Sequence, residues 1–246
     1  MAFVAPALLA ADLARLGEAL RMIEAAGCRM VHIDVGDGHF ARDVTVGQPV
    51  IESIRKATRL ELDLHLLIER PERYVAEFVQ AGADRLAIHP ESTPHPHYAL
   101  KLIRSSGAKA GVALAVGTPL NSISDLLPDV DFLNILTAEP DWGPKPASGS
   151  KESELIPAQL DKLSQICQLR ERLGLHLELQ VEGGLTAWNI KEVAQTGADI
   201  LVARFDIFDN QDPLARLRDA IRAASCDRPG TPVESESSAG GISSIS

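Results

Sequence analysis

Short runs rich in valine, isoleucine and leucine alternate with longer stretches whose apolar positions recur at helical spacing, and the alternation persists from residue 3 to about residue 223. An aliphatic run bounded by turn residues suits a strand covered on both faces, and apolar positions three and four apart suit a helix that covers it. Strands are therefore predicted near residues 3–8, 30–35, 60–66, 84–88, 108–114, 130–136, 176–181 and 199–203. Helical periodicity is clearest over residues 12–26, 71–81, 157–173, 187–196 and 213–224, and Pro71, Pro157 and Pro213 stand where the first helical turn tolerates a missing N–H. Three junctions repeat one punctuation, Ala26-Gly27-Cys28, Ala81-Gly82-Ala83-Asp84 and Thr196-Gly197-Ala198-Asp199. Each reads as a helix ending on glycine and passing directly into a buried strand.

Eight strand–helix units in about 225 residues fit a single (β/α)8 TIM barrel, an α/β fold, better than an open doubly wound sheet. An open sheet would be expected to carry a glycine-rich phosphate loop after its first strand, and neither G-x-G-x-x-G nor G-x-x-x-x-G-K-S/T occurs. The barrel is expected to occupy residues 1–224. Beyond it, 12 of the 22 residues in 225–246 are Ser, Gly or Pro, so this stretch reads as a disordered tail. Residues 141–154 are also rich in Gly, Pro, Ser and Lys, but they lie between strand six and the next helix, where a long loop of the active face is expected.

Composition narrows the picture in two ways. With 45% hydrophobic but only 4% aromatic residues, the packing material is Ala, Val, Ile and Leu, as parallel strands and covering helices require. Twenty-four basic residues against 34 acidic ones give a formal net charge of −10, which leaves no general electrostatic footprint for a nucleic acid. Cys28, Cys167 and Cys226 have no C-x-x-C spacing, and three cysteines cannot all pair with one another, so a reducing cytoplasm is expected. No apolar run approaches the ~18 residues of a membrane span, and no signal-like segment opens the chain, so a soluble protein without a membrane partner is expected.

The candidate chemistry lies at strand ends. His32 and Asp34 are two apart in Val31-His32-Ile33-Asp34-Val35 and so share one side of the second strand. His65 ends the third strand, and Glu182 ends the seventh before Gly183-Gly184. Two imidazoles and two carboxylates on one barrel rim can hold a divalent cation such as Zn2+, Mn2+ or Fe2+, with positions left for a bidentate oxygen ligand. The carboxylates could serve as general bases on opposite faces of a bound substrate. Each residue alone reads more readily as a satisfied polar group at the barrel mouth; only the combination points to a metal. His39, His89, His95 and His97 read as structural or solvent-facing.

Over residues 3–223 the chain resembles the ribulose-phosphate 3-epimerase family of ketose-phosphate 3-epimerases. The resemblance rests on Ala5-Pro6, Asp12, His32-x-Asp34-x-x-Asp37-Gly38-x-Phe40, Asp63-x-His65 and Pro71-x-x-Tyr74. It continues through Ala81-Gly82-Ala83-Asp84, Thr118-Pro119, Thr137-x-Glu139-Pro140, Gly183-Gly184 and Val202-Ala203…Ile207-Phe208. It implies that His32, Asp34, His65 and Glu182 hold one divalent metal, and that Asp34 and Glu182 are the acid/base pair. In such a reaction one carboxylate removes the C3 proton, the metal stabilises the enediolate, and the other carboxylate reprotonates the opposite face. The resemblance also implies a homo-oligomer acting in carbohydrate metabolism on a small sugar phosphate.

Several positions depart from the family's pattern. Glu182 stands where the family has Asp, and the extra methylene displaces the carboxylate by roughly an ångström, which can cost on the order of 100-fold in rate. Gly36, Leu67 and Leu136 replace cavity methionines, and Ala7 replaces a serine. The family's Gly-Phe-Gly-Gly phosphate loop reads Asp141-Trp142-Gly143-Pro144 here, and its Gly-Ser after strand eight reads Arg204-Phe205. Pro144 removes an N–H donor and Asp141 adds a like charge, while Gly183-Gly184 is kept. Lys145 and Arg204 bring cations to the altered elements. Substrate contacts are thus expected from His65, Gly143, Lys145, Gly183, Gly184 and Arg204, with Trp142 a lid residue or a rim residue. The leading expectation is epimerisation at C3 of D-ribulose 5-phosphate or a close analogue. An unphosphorylated or differently charged ketose is the alternative that the altered loop raises, and a catalytically impaired binding barrel is the third.

Overall fold

A computed structural model describes residues 1–138, 155–186, 188–208 and 210–225, with the side chains of residues 205 and 206 excepted. Eight strands, β1 (Phe3–Pro6), β2 (Met30–Gly36), β3 (Glu61–Leu67), β4 (Arg85–Ile88), β5 (Lys109–Leu114), β6 (Phe132–Leu136), β7 (Glu178–Glu182) and β8 (Ile200–Ala203), form one sheet. Every pairing is parallel in the order β1-β8-β7-β6-β5-β4-β3-β2, and a parallel bridge between Ala7 and His32 joins the two remaining edges. The sheet therefore closes on itself as the barrel that the strand count predicts, and each predicted strand is present within two or three residues of its expected ends.

The helices are α1 (Leu16–Ala25), α2 (Gln48–Ala57), α3 (Val75–Gln80), α4 (Pro96–Ser105), α5 (Pro157–Leu173), α6 (Ile190–Gln195), the single turn α7 (Phe205–Phe208) and α8 (Pro213–Ala224). Two expected helices begin as 3-10 turns. Asp12 accepts the N–H of Ala14 and opens a turn over Leu13–Arg15 before α1 starts, and Pro71–Arg73 forms a turn before α3. One expected helix is absent. Between β5 and β6 the chain makes two 3-10 turns, Leu120–Ile123 and Leu127–Asp129, because Pro119 and Pro128 leave fewer than ten residues between them and Pro128 supplies no N–H to a helical ladder. The three helix–glycine–strand junctions are as expected, with φ of 88°, 111° and 109° at Gly27, Gly82 and Gly197.

Packing divides into two regions. The main core lies between sheet and helices, with Ile33, Leu64, Ile88, Val112, Leu133, Leu179 and Leu201 facing α-helical residues such as Ile23, Ile51, Ile103 and Leu217. Inside the barrel, Phe3, Ala5, Met30 and Ile200 pack together at the N-terminal ends of their strands, and Ala87, Ala113 and Phe132 form a second small group. Much of the rest of the interior is polar. His32, Asp34, Asp63, His65, Arg85, Asn134, Gln180 and Glu182 are all buried. Polar groups so placed must satisfy one another or a ligand. Among the described residues no helix is long and apolar enough to cross a membrane.

Candidate metal centre and active site

The register of β2 on β3 pairs His32 with Asp63 and Asp34 with His65. Because strand side chains alternate, these four residues face the barrel interior while Val31, Ile33, Leu62 and Leu64 face the helices. Glu182, the last residue of β7, comes in from across the barrel. His65 Nδ1 lies 3.2 Å from Asp34 Oδ1 and 3.1 Å from Glu182 Oε2. His32 Nε2 lies 3.3 Å and 3.4 Å from the same two oxygens. One ligand atom from each of the four residues falls within 4.8 Å of all the others, so the structure brings together the set proposed from the sequence.

The electrostatics of the cluster show what it can hold. Burial alone lowers the pKa of His65, but the adjoining carboxylates of Glu182 and Asp34 overcome that effect and raise it to about 9. Burial likewise opposes protonation of His32, yet Glu182, Asp34 and Asp63 hold its pKa well above the usual imidazole value. Desolvation pushes Asp34 and Glu182 up, the two carboxylates also repel each other, and the two imidazoles hold both below the ordinary carboxylate range. Two carboxylates thus carry a fixed charge of −2 in a buried space, balanced by two protons on the imidazoles. One divalent cation balances the same charge after displacing those two protons, so donor set, spacing and charge all fit such an ion.

A further layer of polar residues fixes the orientation of the four. Asp63 Oδ2 accepts from His32 Nδ1 at 2.7 Å and from Gln180 Nε2 at 2.9 Å. Its other oxygen accepts from Arg85 Nε at 3.1 Å, and Arg85 Nη1 donates to Glu178 at 2.6 Å. Arg85 is fully buried, with its guanidinium 3.9 Å from the centre of the Phe132 ring. Asn134 Nδ2 donates to Glu182 Oε2 at 2.6 Å. On the opposite flank Thr45 Oγ1 accepts from the N–H of Gly36 and donates to the carbonyl of Asp34, both at 2.8 Å, pinning the loop after β2 against the strand that carries His32 and Asp34.

Sequence reasoning assigned no role to Asp63, Arg85, Asn134 or Gln180, although each is a polar residue at an inward position of a strand whose outward positions are aliphatic. That alternation was the available signal. Of the two readings expected for His89, structural or solvent-facing, the structure excludes the second. Its side chain is buried, and its Nε2 lies 2.8 Å from His65 Nε2, directly behind the cluster. The sequence shows His89 only as the residue after β4; the closing of the barrel sets it beside His65. His39, His95 and His97 are exposed, and His97 pairs with Asp129 at 3.0 Å.

Of the expected substrate contacts, Gly183 and Gly184 follow Glu182 directly with φ of 103° and 64°. A Cβ on Gly183 would stand 2.8 Å from the N–H nitrogen of Ala138, so backbone approaches backbone here at a distance that only glycine permits. Arg204 turns toward the cluster, with Nη2 3.9 Å from Asp34 Oδ2. Gly143 and Lys145, with Glu139, Asp141, Trp142 and Pro144, lie outside the described residues, as do Cys226 and nearly all of the tail. Gly36, where the resemblance places a methionine, has its Cβ direction filled by the carbonyl of Asp43. Backbone of the following loop therefore replaces that piece of cavity wall. Leu136 is buried and Leu67 is half-buried.

A match to the ribulose-phosphate 3 epimerase family spans residues 3–208. The chain is 37% identical over 210 residues to ribulose-phosphate 3-epimerase of Bacillus subtilis, covering 85% of this chain and 93% of that protein. It is 38% identical over 211 residues to the chloroplastic ribulose-5-phosphate-3-epimerase of Arabidopsis thaliana, covering 85% of this chain and 72% of that one. Among solved structures, KGPDC from Streptococcus mutans superposes with a TM-score of 0.65 at 15% identity, over 91% of this chain and 97% of its own. The 3-hexulose-6-phosphate synthase of Salmonella typhimurium superposes with a TM-score of 0.64 at 20% identity, over 90% and 98%. At such identities the two structures show a shared barrel and no more. The extent and identity of the sequence matches place this chain in the ribulose-phosphate 3-epimerase family, whose named members are isomerases.

Proposed function

We propose that this protein epimerises C3 of a ketose phosphate, interconverting D-ribulose 5-phosphate and D-xylulose 5-phosphate or a close analogue. The observation that carries the reading is the convergence of Asp34 and Glu182 with His32 and His65 in one buried cluster at the C-terminal ends of the strands, the end where such barrels act. Family membership supports the same substrate class. In this reading His32, Asp34, His65 and Glu182 hold one Zn2+, Mn2+ or Fe2+ ion, which supplies charge stabilisation for an oxyanion developing on the sugar.

The chain's own carboxylates move the proton. One of Asp34 and Glu182 takes the hydrogen from C3, leaving its electron pair shared between C3 and the C2 carbonyl. The other, which enters the step as the carboxylic acid, delivers its proton to C3 from the opposite face, so the pair holds one proton before and after and the configuration is inverted without net change in composition. Burial keeps water from competing for that proton. Gly183, Gly184 and Arg204, together with Gly143 and Lys145, bind the phosphate end, the glycines through backbone N–H groups and Arg204 through its guanidinium.

Incubation of the metal-loaded protein with ribulose 5-phosphate in D2O tests the proposal. Deuterium is expected at C3 together with formation of xylulose 5-phosphate, and absence of exchange with Zn2+, Mn2+ and Fe2+ alike would overturn it. A second reading, an unphosphorylated ketose, is favoured by Pro144 and Asp141 where the family has glycines; exchange with free pentuloses but not their phosphates selects it.

A further inference from the structure

We infer that His89, backed by Glu91, is a positioning residue that fixes the ring of His65 and the nitrogen it presents to the metal site; the inference rests on the metal-binding reading above. His65 is buried and has two nitrogens facing different groups. Nδ1 faces Asp34 and Glu182 at 3.2 and 3.1 Å, and Nε2 faces His89 Nε2 at 2.8 Å. A nitrogen that ligates a cation must offer its lone pair, so Nδ1 can serve only when the ring proton sits on Nε2. His89 Nε2 is the group that receives this proton in a hydrogen bond. Accepting there obliges neutral His89 to carry its own proton on Nδ1, the side that lies 3.7 Å from Glu91 Oε2.

The far end of this relay is anchored. Glu91 accepts from the hydroxyl of Thr118, and Lys162, which donates to the carbonyls of Ala115, Val116 and Thr118 at 2.9–3.3 Å, adds a positive charge beside Glu91. The rings are held as well as the protons. His65 and His89 lie 4.9 Å apart between centroids with planes 33° from parallel, and the Phe40 ring also packs on His89, 5.0 Å between centroids. His32 is served in parallel fashion, since its rear nitrogen donates straight to Asp63. His32 thus ends directly on a carboxylate, and behind His65 stands a second imidazole whose Nδ1 faces the Glu91 carboxylate at 3.7 Å, outside hydrogen-bond distance. A ligating histidine whose rear N–H loses its acceptor typically costs 10- to 100-fold in metal affinity.

Two measurements test the assignment. Nitrogen-15 chemical shifts in the metal-free full chain report the His89 tautomer without reference to any metal. Protonation on Nδ1, with Nε2 free to accept, is expected, and a proton on Nε2 would overturn the inference. Co2+ affinity and the Co2+ absorption spectrum are then compared among wild type, His89→Leu, His89→Gln and Glu91→Gln. Leu removes the acceptor and should weaken Co2+ binding by ~10-fold or more with a changed spectrum. Gln keeps an acceptor oxygen and should recover affinity to within about threefold of wild type. Glu91→Gln sits at a partly exposed side chain and offers His89 an amide donor that favours the wrong tautomer, so it should also weaken binding. Wild-type affinity in both His89→Leu and Glu91→Gln would refute the role. A wild-type protein that binds no Co2+ would sink the metal reading instead, and the tautomer would still decide whether His89 orients His65.

Discussion

Asn134 reaches across from β6 to donate its amide to Glu182 Oε2 at 2.6 Å, the same oxygen that lies within 3.4 Å of both cluster histidines. A fully buried asparagine in the strand Phe132–Leu136, otherwise Phe, Leu and Ile, is held there by this bond. The longer side chain of Glu182 is thereby fitted to its surroundings, which changes what shortening it should do. Glu182→Asp withdraws the carboxylate from Asn134 and from the imidazoles, and a loss of ~100-fold in kcat on ribulose 5-phosphate is expected. Asn134→Leu keeps volume and removes the bond; it should lower kcat by ~10-fold, about 1.4 kcal/mol, with KM little changed. Steady-state kinetics of the two variants checks both, and a Glu182→Asp protein more active than wild type would show that the site is not built around glutamate.

Metal uptake should be strongly pH-dependent. With the His65 pKa raised to about 9 and that of His32 well above the usual value, both imidazoles are protonated at neutral pH in the metal-free cluster. Binding one divalent ion must expel both protons. The logarithm of the Mn2+ association constant is therefore expected to climb by about two per pH unit near pH 7, and by less once pH passes about 9. Calorimetry in buffers of different ionisation enthalpy counts the protons directly. Release of fewer than one would contradict the protonation state described for the cluster.

How much of this was legible beforehand follows from the range over which each signal acts. Strand positions and the ligand quartet are local matters: an aliphatic run declares a buried strand, and His32-x-Asp34 declares its own shared face. Helix onsets at Asp12 and Pro71 were readable as starts but not as 3-10 turns, since that distinction turns on one hydrogen bond. The missing helix between β5 and β6 was announced by Pro119 and Pro128 and was outweighed by the expectation of a regular repeat. Asp63 could have been found from its place two residues before His65. The contacts His89–His65 and Asn134–Glu182 could not, because each joins different strands at a depth set only when the barrel closes.

Asp63 should contribute to stability in a defined direction. Burial raises its pKa, but the Arg85 charge and the hydrogen bonds from His32 and Gln180 outweigh that and leave it lowered. A carboxyl whose folded pKa lies below its unfolded value of ~3.9 adds stability that is present above that pH and lost as pH falls through the folded value. Asp63→Asn removes this term, so the melting temperature of the variant should fall less steeply than that of wild type below about pH 4. At neutral pH the variant leaves Arg85 buried with a weaker partner, and destabilisation of about 3–5 kcal/mol is expected. Thermal unfolding across pH 3–7 measures both effects; parallel curves would mean that Asp63 is not held ionised by Arg85.

The role proposed for Arg204 turns on its position, with Nη2 3.9 Å from Asp34 Oδ2 and just beyond β8, the strand that pairs with β7, which leads into Gly183 and Gly184. A cation placed there could serve the substrate's phosphate or the charge of Asp34, and the two roles separate cleanly in a ratio. Arg204→Ala alters Asp34 equally for a phosphorylated and a free pentulose, so any such effect cancels when kcat/KM for ribulose 5-phosphate is divided by kcat/KM for ribulose. A charge-assisted contact to phosphate survives the division. Such a bond contributes about 1.5–3 kcal/mol, so the ratio should fall by ~10- to 100-fold in the variant. An unchanged ratio, with both activities reduced together, would assign Arg204 to Asp34 and leave the phosphate to Gly183, Gly184, Gly143 and Lys145.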